Sequence, residues 1–213
     1  MASAAATGGG SGDVIAKHNA CTRKKPNVLV TGTPGSGKTT LCEALRDNVG
    51  FKVLNVGQLI KDKEFHGGHD KEFDALILDE DSEDKLLDEM EEILGPGGYV
   101  VEFHSIDLFP ERWFDLVVVL TTDNTELFDR LTRRGYSDKK IEENVTAEIM
   151  QVCLDEARES FAREVVVPLS SNTTADCDSN VQRIEAWAAQ WLADAPKRKA
   201  AAAAAAAAVG AAP

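Results

Sequence analysis

Residues 27–40 read N-V-L-V-T-G-T-P-G-S-G-K-T-T, and this stretch decides the fold. Residues 27–31 form a short, mostly apolar run with two valines, which predicts a buried strand. The run leads into Gly32-x4-Gly37-Lys38-Thr39, which matches the phosphate-binding loop pattern at every fixed position. Apolar residues then recur at helical spacing up to a glycine, at Leu41, Leu45, Val49 and Gly50. Strand, glycine-rich loop and helix are the context that the motif requires, and we expect the helix to begin near Lys38.

The residue types of this loop suit it to hold a chain of phosphates. Glycines let backbone N–H groups turn inward around phosphate oxygens, and the N-terminus of a helix adds partial positive charge. The ammonium group of Lys38 is expected to reach the β- and γ-phosphates of ATP, and the hydroxyl of Thr39 is expected to bind Mg²⁺. A glycine-rich turn that matches the pattern by chance is the alternative interpretation.

Length and charge limit what the chain can be. Its 213 residues are enough for one domain with a full hydrophobic core and small inserted lids. The formal net charge of −13 argues against direct nucleic-acid binding, which depends on Lys and Arg, and favours a basic protein as partner. No apolar run approaches membrane-spanning length, and the N-terminus lacks the apolar core of a signal peptide, so we expect no membrane association.

Low-complexity composition marks both ends of the chain. Residues 1–25 are rich in Ala, Gly and Ser, which predicts a disordered N-terminal tail. Residues 195–213 contain nine consecutive alanines and form a low-complexity C-terminal tail that favours helix. We therefore expect the folded domain at residues 26–194. Arg23-Lys24-Lys25 is a small basic cluster, either part of a nuclear import signal or the solvated entrance to the first strand.

Four further apolar segments are predicted to be strands, at residues 51–56, 99–103, 116–120 and 164–169. Helical patterns separate them, including one long helix from a Ser137 cap through about residue 162, with Ile141, Ile149 and Val152 on its apolar side. Alternating strands and helices predict an α/β fold of three layers, with a five-stranded parallel sheet between helices. Ligand is expected at the carboxyl ends of the strands.

The third predicted strand ends in Glu102-Phe103-His104. A carboxylate at a strand end beside a phosphate loop is where Mg²⁺ is held, directly or through water, so Glu102 is a candidate metal-binding residue. The alternative for Glu102 is an exposed acid at the strand end. His104 is either a functional residue of the same site or a hydrogen-bonded structural histidine.

Two polar stretches could contact a second molecule. In residues 55–78, Lys61 and Lys63 either contact a second substrate or are solvated charges on a helix. Residues 70–92 are markedly acidic. Their acidic side chains form either a solvated helix surface or a docking face for a basic partner.

Several short motifs follow the phosphate loop G-T-P-G-S-G-K-T-T in a set order. They are N-V-G-Q-L at residues 55–59, I-L-D-E-D at 77–81, F-H-S-I-D-L-F-P-E-R-W at 103–113 and R-R-G-Y-S-D-K-K-I at 133–141. Together they resemble the adenylate kinase isoenzyme six family, and the resemblance covers residues 27–191. It implies a P-loop NTPase fold of the nucleoside monophosphate kinase type, with ATP and Mg²⁺ as cofactors.

The resemblance also implies roles for single residues. Contacts to ATP would come from Gly35, Ser36, Gly37, Lys38, Thr39, Thr40 and Arg134. Arg134 would be the lid arginine, although an arginine there could instead cap the carbonyl end of its own helix. Residues 55–78 would form the monophosphate-binding region and residues 133–143 the lid. Lys38, Arg134, Glu102 and His104 are the candidate catalytic residues.

One position departs from the family pattern. The family usually carries Asp-x-His at the third strand, whereas this chain has Glu102-Phe103-His104. Glutamate keeps the charge but is one methylene longer, which changes the geometry available to Mg²⁺.

Members of that family are nucleoside monophosphate kinases with ATPase activity, and the acceptor would be AMP or another nucleoside monophosphate. They also assist maturation of small-subunit ribosomal RNA, bind the small-subunit ribosomal protein uS11 and act on pre-ribosomal particles. The implied location is nucleus and cytoplasm. Three hypotheses stay open: an enzyme of nucleotide interconversion, an assembly factor whose ATP hydrolysis switches its grip on a ribosomal protein, and a kinase for another small metabolite.

Overall fold

The computed structural model describes residues 23–70 and 75–209, and of residues 69–70, 75–76 and 205–209 it describes the backbone alone. The strands of this part of the chain are β1 (Val28–Thr31), β2 (Lys52–Asn55), β3 (Gly68–Asp70), β4 (Ala75–Ile77), β5 (Tyr99–Glu102), β6 (Leu116–Thr121) and β7 (Val166–Ser170). Five of them pair in parallel, in the order β2-β5-β1-β6-β7. The predicted five-stranded parallel sheet is confirmed. The antiparallel pair β3–β4 was not predicted.

Helices connect the strands. They are α1 (Lys38–Val49), α2 (Val56–Asp62), α3 (Glu80–Leu94), α4 (Asn124–Arg133), α5 (Asp138–Ile149), α6 (Val152–Ser160), α7 (Thr174–Ala193) and α8 (Ala195–Val209), with a 3₁₀ turn at Glu111–Trp113. Helix α1 begins at Lys38 as predicted. It ends where Gly50 turns into the left-handed region at φ 78°, a conformation that glycine adopts without a steric penalty.

The sheet is buried between two hydrophobic cores. Along β1, Leu29 packs into one core and Val28 and Val30 into the other, because successive side chains of a strand point to opposite faces. Helices α2, α3 and α6 cover the first face with residues that include Ile60, Leu86 and Leu154. Helices α1 and α7 cover the second face with residues that include Leu41, Leu45 and Ile184. The predicted three-layer arrangement is therefore confirmed.

The strand register brings polar residues to one edge of the sheet. Val30 of β1 pairs with Glu102 of β5, and Asn55 of β2 pairs with the same Glu102. The carboxyl ends of β1, β5 and β2 therefore meet where the loop after β1 begins. This edge is the expected position for a ligand in an open parallel sheet.

The single long helix predicted after Ser137 is wrong. Ser137 does cap a helix, since its side chain accepts from the N–H of Lys140, but the helix stops at Ile149 and a second one starts at Val152. Gln151 between them has φ 54°. Residues 147–154 contain no glycine or proline, so the break has no local signal.

Tertiary packing explains the break. Ile141 of α5 is buried against Leu127 and Leu131 of α4, whereas Leu154 of α6 is buried in the core beneath the sheet. The two halves of the predicted helix therefore bury side chains in different places. Ile149 and Val152, which we expected on an apolar face, are 57% and 38% exposed.

The basic cluster at residues 23–25 is not simply a solvated entrance. The guanidinium of Arg23 donates to the carbonyls of Arg112 and Trp113 and lies 3.1 Å from the Asp115 carboxylate, and both charged side chains are about 5% exposed or less. Lys24 and Lys25 are exposed. Arg23 thus packs with the folded domain, although we placed it in the tail. The rest of the predicted N-terminal tail, residues 1–22, lies outside the described residues.

The alanine tract lies in α8, which Asp194 separates from α7. Arg198 of α8 stacks on the ring of Trp191, with 3.6 Å between the guanidinium carbon and the ring centroid. Residues 210–213 of the predicted C-terminal tail lie outside the described residues. None of the described helices is both long and apolar enough to cross a membrane.

The buried pair of Arg23 and Asp115 gives a stability prediction. Replacing Asp115→Asn leaves the Arg23 charge buried without its partner, so we expect a loss of about 3–5 kcal/mol in the free energy of unfolding. Urea denaturation measures this loss, and Lys24→Ala, at an exposed neighbouring residue, is the control that should change stability by less than about 0.5 kcal/mol. Equal stability of wild type and Asp115→Asn would contradict the burial of this pair.

Candidate functional site

The phosphate loop closes tightly around its glycines. Gly35 has φ 94°, and a side chain there would come within 2.9 Å of Leu127 and 3.1 Å of Leu131. Gly37 has φ 95° and occupies the cap position of α1, where no side chain accepts the first N–H groups of the helix. The N–H groups at the start of α1 are therefore available to an anionic ligand.

Lys38 is held by the loop itself. Its Nζ donates to the carbonyl of Gly32 at 2.6 Å and to that of Thr33 at 3.1 Å. Burial lowers the pKa of Lys38 below its ordinary value, and the charge of Arg134 acts in the same direction, while Glu102 opposes both. A phosphate oxygen would replace these carbonyls as the partner of the ammonium group and would add negative charge beside Lys38.

Glu102 and Thr39 lie in direct contact. The hydroxyl of Thr39 donates to one carboxylate oxygen of Glu102 at 2.6 Å, and the amide of Asn55 donates to the other at 2.9 Å. Glu102 is only 8% exposed, which rules out the interpretation of an exposed strand-end acid. The two residues predicted to bind a metal are therefore adjacent. Their role as metal ligands stays a prediction.

Sequence reasoning missed Asn55. Its Nδ2 orients Glu102, while its Oδ1 accepts from the N–H of Gln58 and so caps α2. One side chain thus ties the carboxylate beside the phosphate loop to the helix that follows β2. A polar residue at the end of a short strand was the available signal, as it was for Glu102.

His104 lines the same space but reaches solvent. Its ring packs against Phe103, with 4.7 Å between the ring centroids. Partial desolvation lowers the pKa of His104 from its ordinary value, and the charge of Lys38 lowers it further. Both influences favour the neutral imidazole, whose functional role stays a prediction.

Two cavities flank the phosphate loop. The larger one, about 550 Å³, extends toward β5, α2 and α5 and is lined by residues that include Lys38, Thr39, Lys61, Glu102, His104, Arg134, Tyr136 and Lys140. The smaller one, about 390 Å³, extends toward α7 and is lined by residues that include Thr40, Arg130, Ser171, Thr173, Asp178 and Asn180. Gly35, Gly37 and Arg134 line both. The loop therefore forms the boundary at which the two cavities meet.

Arg134 lies at that boundary. Its backbone N–H closes the end of α4 by donating to Arg130 and Leu131, while its exposed side chain lines both cavities. The side-chain contact to a helix-end carbonyl is made by Arg133, whose Nε donates to the carbonyl of Asp129 at 3.2 Å. Arg133, rather than Arg134, is thus the residue whose side chain contacts a carbonyl near the end of α4, and the role of Arg134 stays a prediction.

Arg130 is a second residue that the sequence did not single out. Its guanidinium donates to the carbonyls of Ser171 at 2.9 Å and Asn172 at 2.6 Å, and reaches that of Gly35 at 3.4 Å. It thereby joins α4, the loop after β7 and the phosphate loop. Contacts across about 40 residues of sequence leave no local pattern by which to find them.

The two candidate lysines of residues 55–78 differ in placement. Lys61 lines the larger cavity, whereas the Nζ of Lys63 lies 2.9 Å from a carboxylate oxygen of Glu89 on α3. Of the two, only Lys61 is placed where a second substrate could reach it.

A family model described as an AAA domain matches residues 28–151. The adenylate kinase isoenzyme 6 homolog of Dictyostelium discoideum is 48% identical over 169 residues, which cover 79% of this chain and 95% of that protein. The homolog FAP7 of Saccharomyces cerevisiae is 47% identical over 175 residues, 82% of this chain and 87% of that protein. The chain belongs to the adenylate kinase isoenzyme 6 family. The resemblance seen in the sequence is thereby confirmed.

Solved structures agree on the fold of this family member. A shikimate kinase from Bacteroides thetaiotaomicron matches with a TM-score of 0.53 and 15% identity, over 76% of this chain and 97% of that chain. A gluconokinase from Sinorhizobium meliloti 1021 matches with a TM-score of 0.50 and 16% identity, over 76% of this chain and 95% of that chain. Likeness at this identity concerns the fold alone, and it confirms the P-loop NTPase fold.

Proposed function

We propose that this protein is a nucleoside monophosphate kinase that transfers the γ-phosphate of ATP to AMP or another nucleoside monophosphate, with ATPase activity. The observation that carries the proposal is the pair of cavities that meet at the phosphate loop, with Arg134 lining both and Lys38 lining the larger one. A donor and an acceptor bound in separate cavities would meet with their phosphates at this junction. The names of the relatives, adenylate kinase isoenzyme 6 homologs, agree with this chemistry.

The smaller cavity suits the donor nucleoside. It adjoins the start of α1 and is lined on its far side by polar residues of α7 and the loop before it: Ser171, Thr173, Thr174, Asp178 and Asn180. ATP bound with its phosphates on the loop would place its adenosine here. Hydroxyl and amide groups of this kind can hydrogen-bond a base or a ribose.

The larger cavity suits an anionic acceptor. Basic side chains lining it include Lys38, Lys61, Arg134 and Lys140, whereas its carboxylate, Glu102, is already engaged by Thr39 and Asn55. The excess of positive charge favours a phosphate-bearing molecule over a neutral metabolite. This excess weighs against the hypothesis of a kinase for an uncharged metabolite.

The residues present fit a magnesium ion. Mg²⁺ is usually bound by one or two protein oxygens together with water and substrate phosphates, and the Thr39 hydroxyl and Glu102 carboxylate are such a pair. Among the described residues, no group of three or more His, Cys, Asp or Glu side chains forms a metal site of its own. When bound, Mg²⁺ would supply positive charge that neutralises the phosphate groups of the nucleotide.

The protein contributes positioning and charge to the reaction. The phosphate loop orients the triphosphate, and an acceptor oxygen in the larger cavity attacks the γ-phosphorus in line with the departing ADP. Lys38 and Arg134 stabilise the charge that develops on the transferred group. Arg134 is exposed, so water can reach the junction, which supports hydrolysis of ATP beside transfer.

Replacement of the loop lysine tests the proposed reaction. Lys38→Ala removes a preorganised charge from the transferred phosphate, so we expect ATP turnover to fall by at least about a hundredfold in a folded protein. AMP-dependent formation of ADP is the assay, and Lys24→Ala, far from both cavities, is the control. A folded Lys38→Ala protein with near-normal turnover would refute the assignment.

Arg134 gives a second prediction. Because Arg134 borders both cavities and Arg133 makes the helix-end contact, we expect Arg134→Ala to lower kcat by about tenfold to a hundredfold with little change in ATP affinity or stability. Arg133→Ala is the matched comparison, with a small loss of stability and retained kcat. If Arg134→Ala lost stability but kept its kcat, while Arg133→Ala lost kcat, Arg134 would be the capping residue.

We also propose, as a second function, that the protein acts as an assembly factor on pre-ribosomal particles in the nucleus and cytoplasm. In this role, ATP hydrolysis would change its affinity for the small-subunit ribosomal protein uS11. The observation in favour is the outer face of α3, where Asp81, Asp84, Asp88 and Glu92 are exposed in succession. An acidic row of this kind attracts a basic protein. The net charge of −13 acts in the same direction over the whole molecule.

Binding kinetics test the docking face on α3. Asp81, Asp84 and Asp88 replaced together by Asn should slow association with uS11 by about tenfold, because surface charge raises the on-rate more than the intrinsic affinity. Wild-type binding should weaken as salt rises, since such charges are screened over about 8 Å at physiological ionic strength. AMP-dependent turnover, assayed on the same samples, should be unchanged. Association that ignores both salt and the substitutions would show that α3 is only a solvated helix.

A further inference from the structure

Glu148, in the last turn of α5, reaches across the fold to the phosphate loop. One oxygen of its carboxylate accepts from the hydroxyl of Thr33, and the other accepts from the backbone N–H of Thr122 at 2.7 Å. Thr33 follows β1 and Thr122 follows β6, which are neighbouring strands of the sheet. A single carboxylate therefore joins α5 to the carboxyl ends of the two central strands.

Thr33 is the residue through which the loop keeps its shape. It is 2% exposed, and its carbonyl accepts from the Nζ of Lys38 and from the N–H of Ser36, both at 3.1 Å. The side chain is held by Glu148 and the carbonyl by the loop's own donors. Displacing the side chain of Thr33 would therefore move the carbonyl that orients Lys38.

The break between α5 and α6 places Glu148 at this position. The backbone turns at Gln151, whose φ of 54° is unfavourable for a residue with a side chain. On the far side of the break, the Sγ of Cys153 lies 4.0 Å from the same Thr33 hydroxyl. Thr33 is thus enclosed by residues from both helices, and the turn keeps both within reach of the loop.

We propose that Glu148 is a positioning residue, which orders the phosphate loop through Thr33 before ATP binds. The proposal deepens the function proposed above and rests on nucleotide binding at the loop. A loop ordered in advance loses less entropy when it closes on a triphosphate, so the contact raises affinity for the donor nucleotide. The acceptor cavity does not include Glu148 or Thr33 and is reached by the contact only through Pro34 and Lys38, so we expect acceptor affinity to change less than affinity for ATP.

The experiment removes the contact from either end. Glu148→Ala and Thr33→Val each break it, and we expect the dissociation constant of Mg·ATP, measured by calorimetry, to rise about tenfold. The KM for ATP should rise with it, while the KM for AMP should stay within about twofold of wild type. Thr33→Ser keeps the hydroxyl and should retain wild-type affinity for ATP. Glu159→Ala, at an exposed acid of α6, is the matched control and should have no effect on either nucleotide.

The double variant separates positioning from general destabilisation. If Glu148 acts through Thr33, then Glu148→Ala combined with Thr33→Val should bind ATP no more weakly than the weaker single variant. Additive losses, equal losses of ATP and AMP affinity, or wild-type ATP affinity in folded Glu148→Ala would each overturn the proposal. Should Glu148→Ala fail to fold, the comparison of Thr33→Val with Thr33→Ser decides whether the proposal holds. Thr33→Ser should bind ATP like wild type only if the hydroxyl at this position is the group that raises affinity for ATP.

Failure of the positioning role of Glu148 can be distinguished from failure of the proposed kinase function. A wild-type protein that binds Mg·ATP without phosphorylating AMP would refute the kinase assignment and leave the binding comparison intact. Conversely, normal ATP binding by the Glu148 and Thr33 variants with AMP-dependent turnover would refute the positioning role alone.

Discussion

The start of α1 leaves its first backbone N–H groups without a side-chain acceptor. The described helices α2, α3, α4, α5 and α7 begin at a side chain that accepts a backbone N–H, whereas Gly37 at the start of α1 and Gln151 at the start of α6 accept none through a side chain. Uncapped N–H groups at a helix start cost free energy unless an acceptor reaches them. Phosphate is suited to this position because it brings several acceptor oxygens and a charge opposite to that of the helix end.

Polar side chains around this helix start form hydrogen bonds with the loop and with one another. Lys38 donates to loop carbonyls, Thr39 donates to Glu102, and Asn55 donates to the other oxygen of Glu102. Nucleotide binding therefore exchanges existing hydrogen bonds for new ones, and the gain in affinity comes from charge and from geometry that is already set. Arg130 and Glu148, which contact the residues around the phosphate loop, hold the loop in this conformation.

Local patterns were enough to predict the sheet, the loop and α1, because strand alternation and the glycine spacing lie within short windows of sequence. The same approach placed Glu102 beside Thr39, since parallel strands end at one edge. It failed for Arg130, for Glu148 and for the pairing of Arg23 with Asp115, because each contact spans at least 26 residues and depends on tertiary packing. The break between α5 and α6 was not predicted for a related reason. The strained backbone at Gln151 is compatible with the fold because the two flanking helices pack into different hydrophobic clusters.

The extra methylene of Glu102 can be understood from its partners. Both carboxylate oxygens are engaged, one by Thr39 at 2.6 Å and one by Asn55 at 2.9 Å, while the backbone stays in register with Val30 of β1. A shorter aspartate at this position would withdraw from Thr39 unless β5 shifted or a water molecule filled the gap. The longer side chain therefore brings the carboxylate to the Thr39 hydroxyl directly. With Thr39 on one oxygen and Asn55 on the other, the carboxylate of Glu102 is held in a fixed orientation beside the phosphate loop.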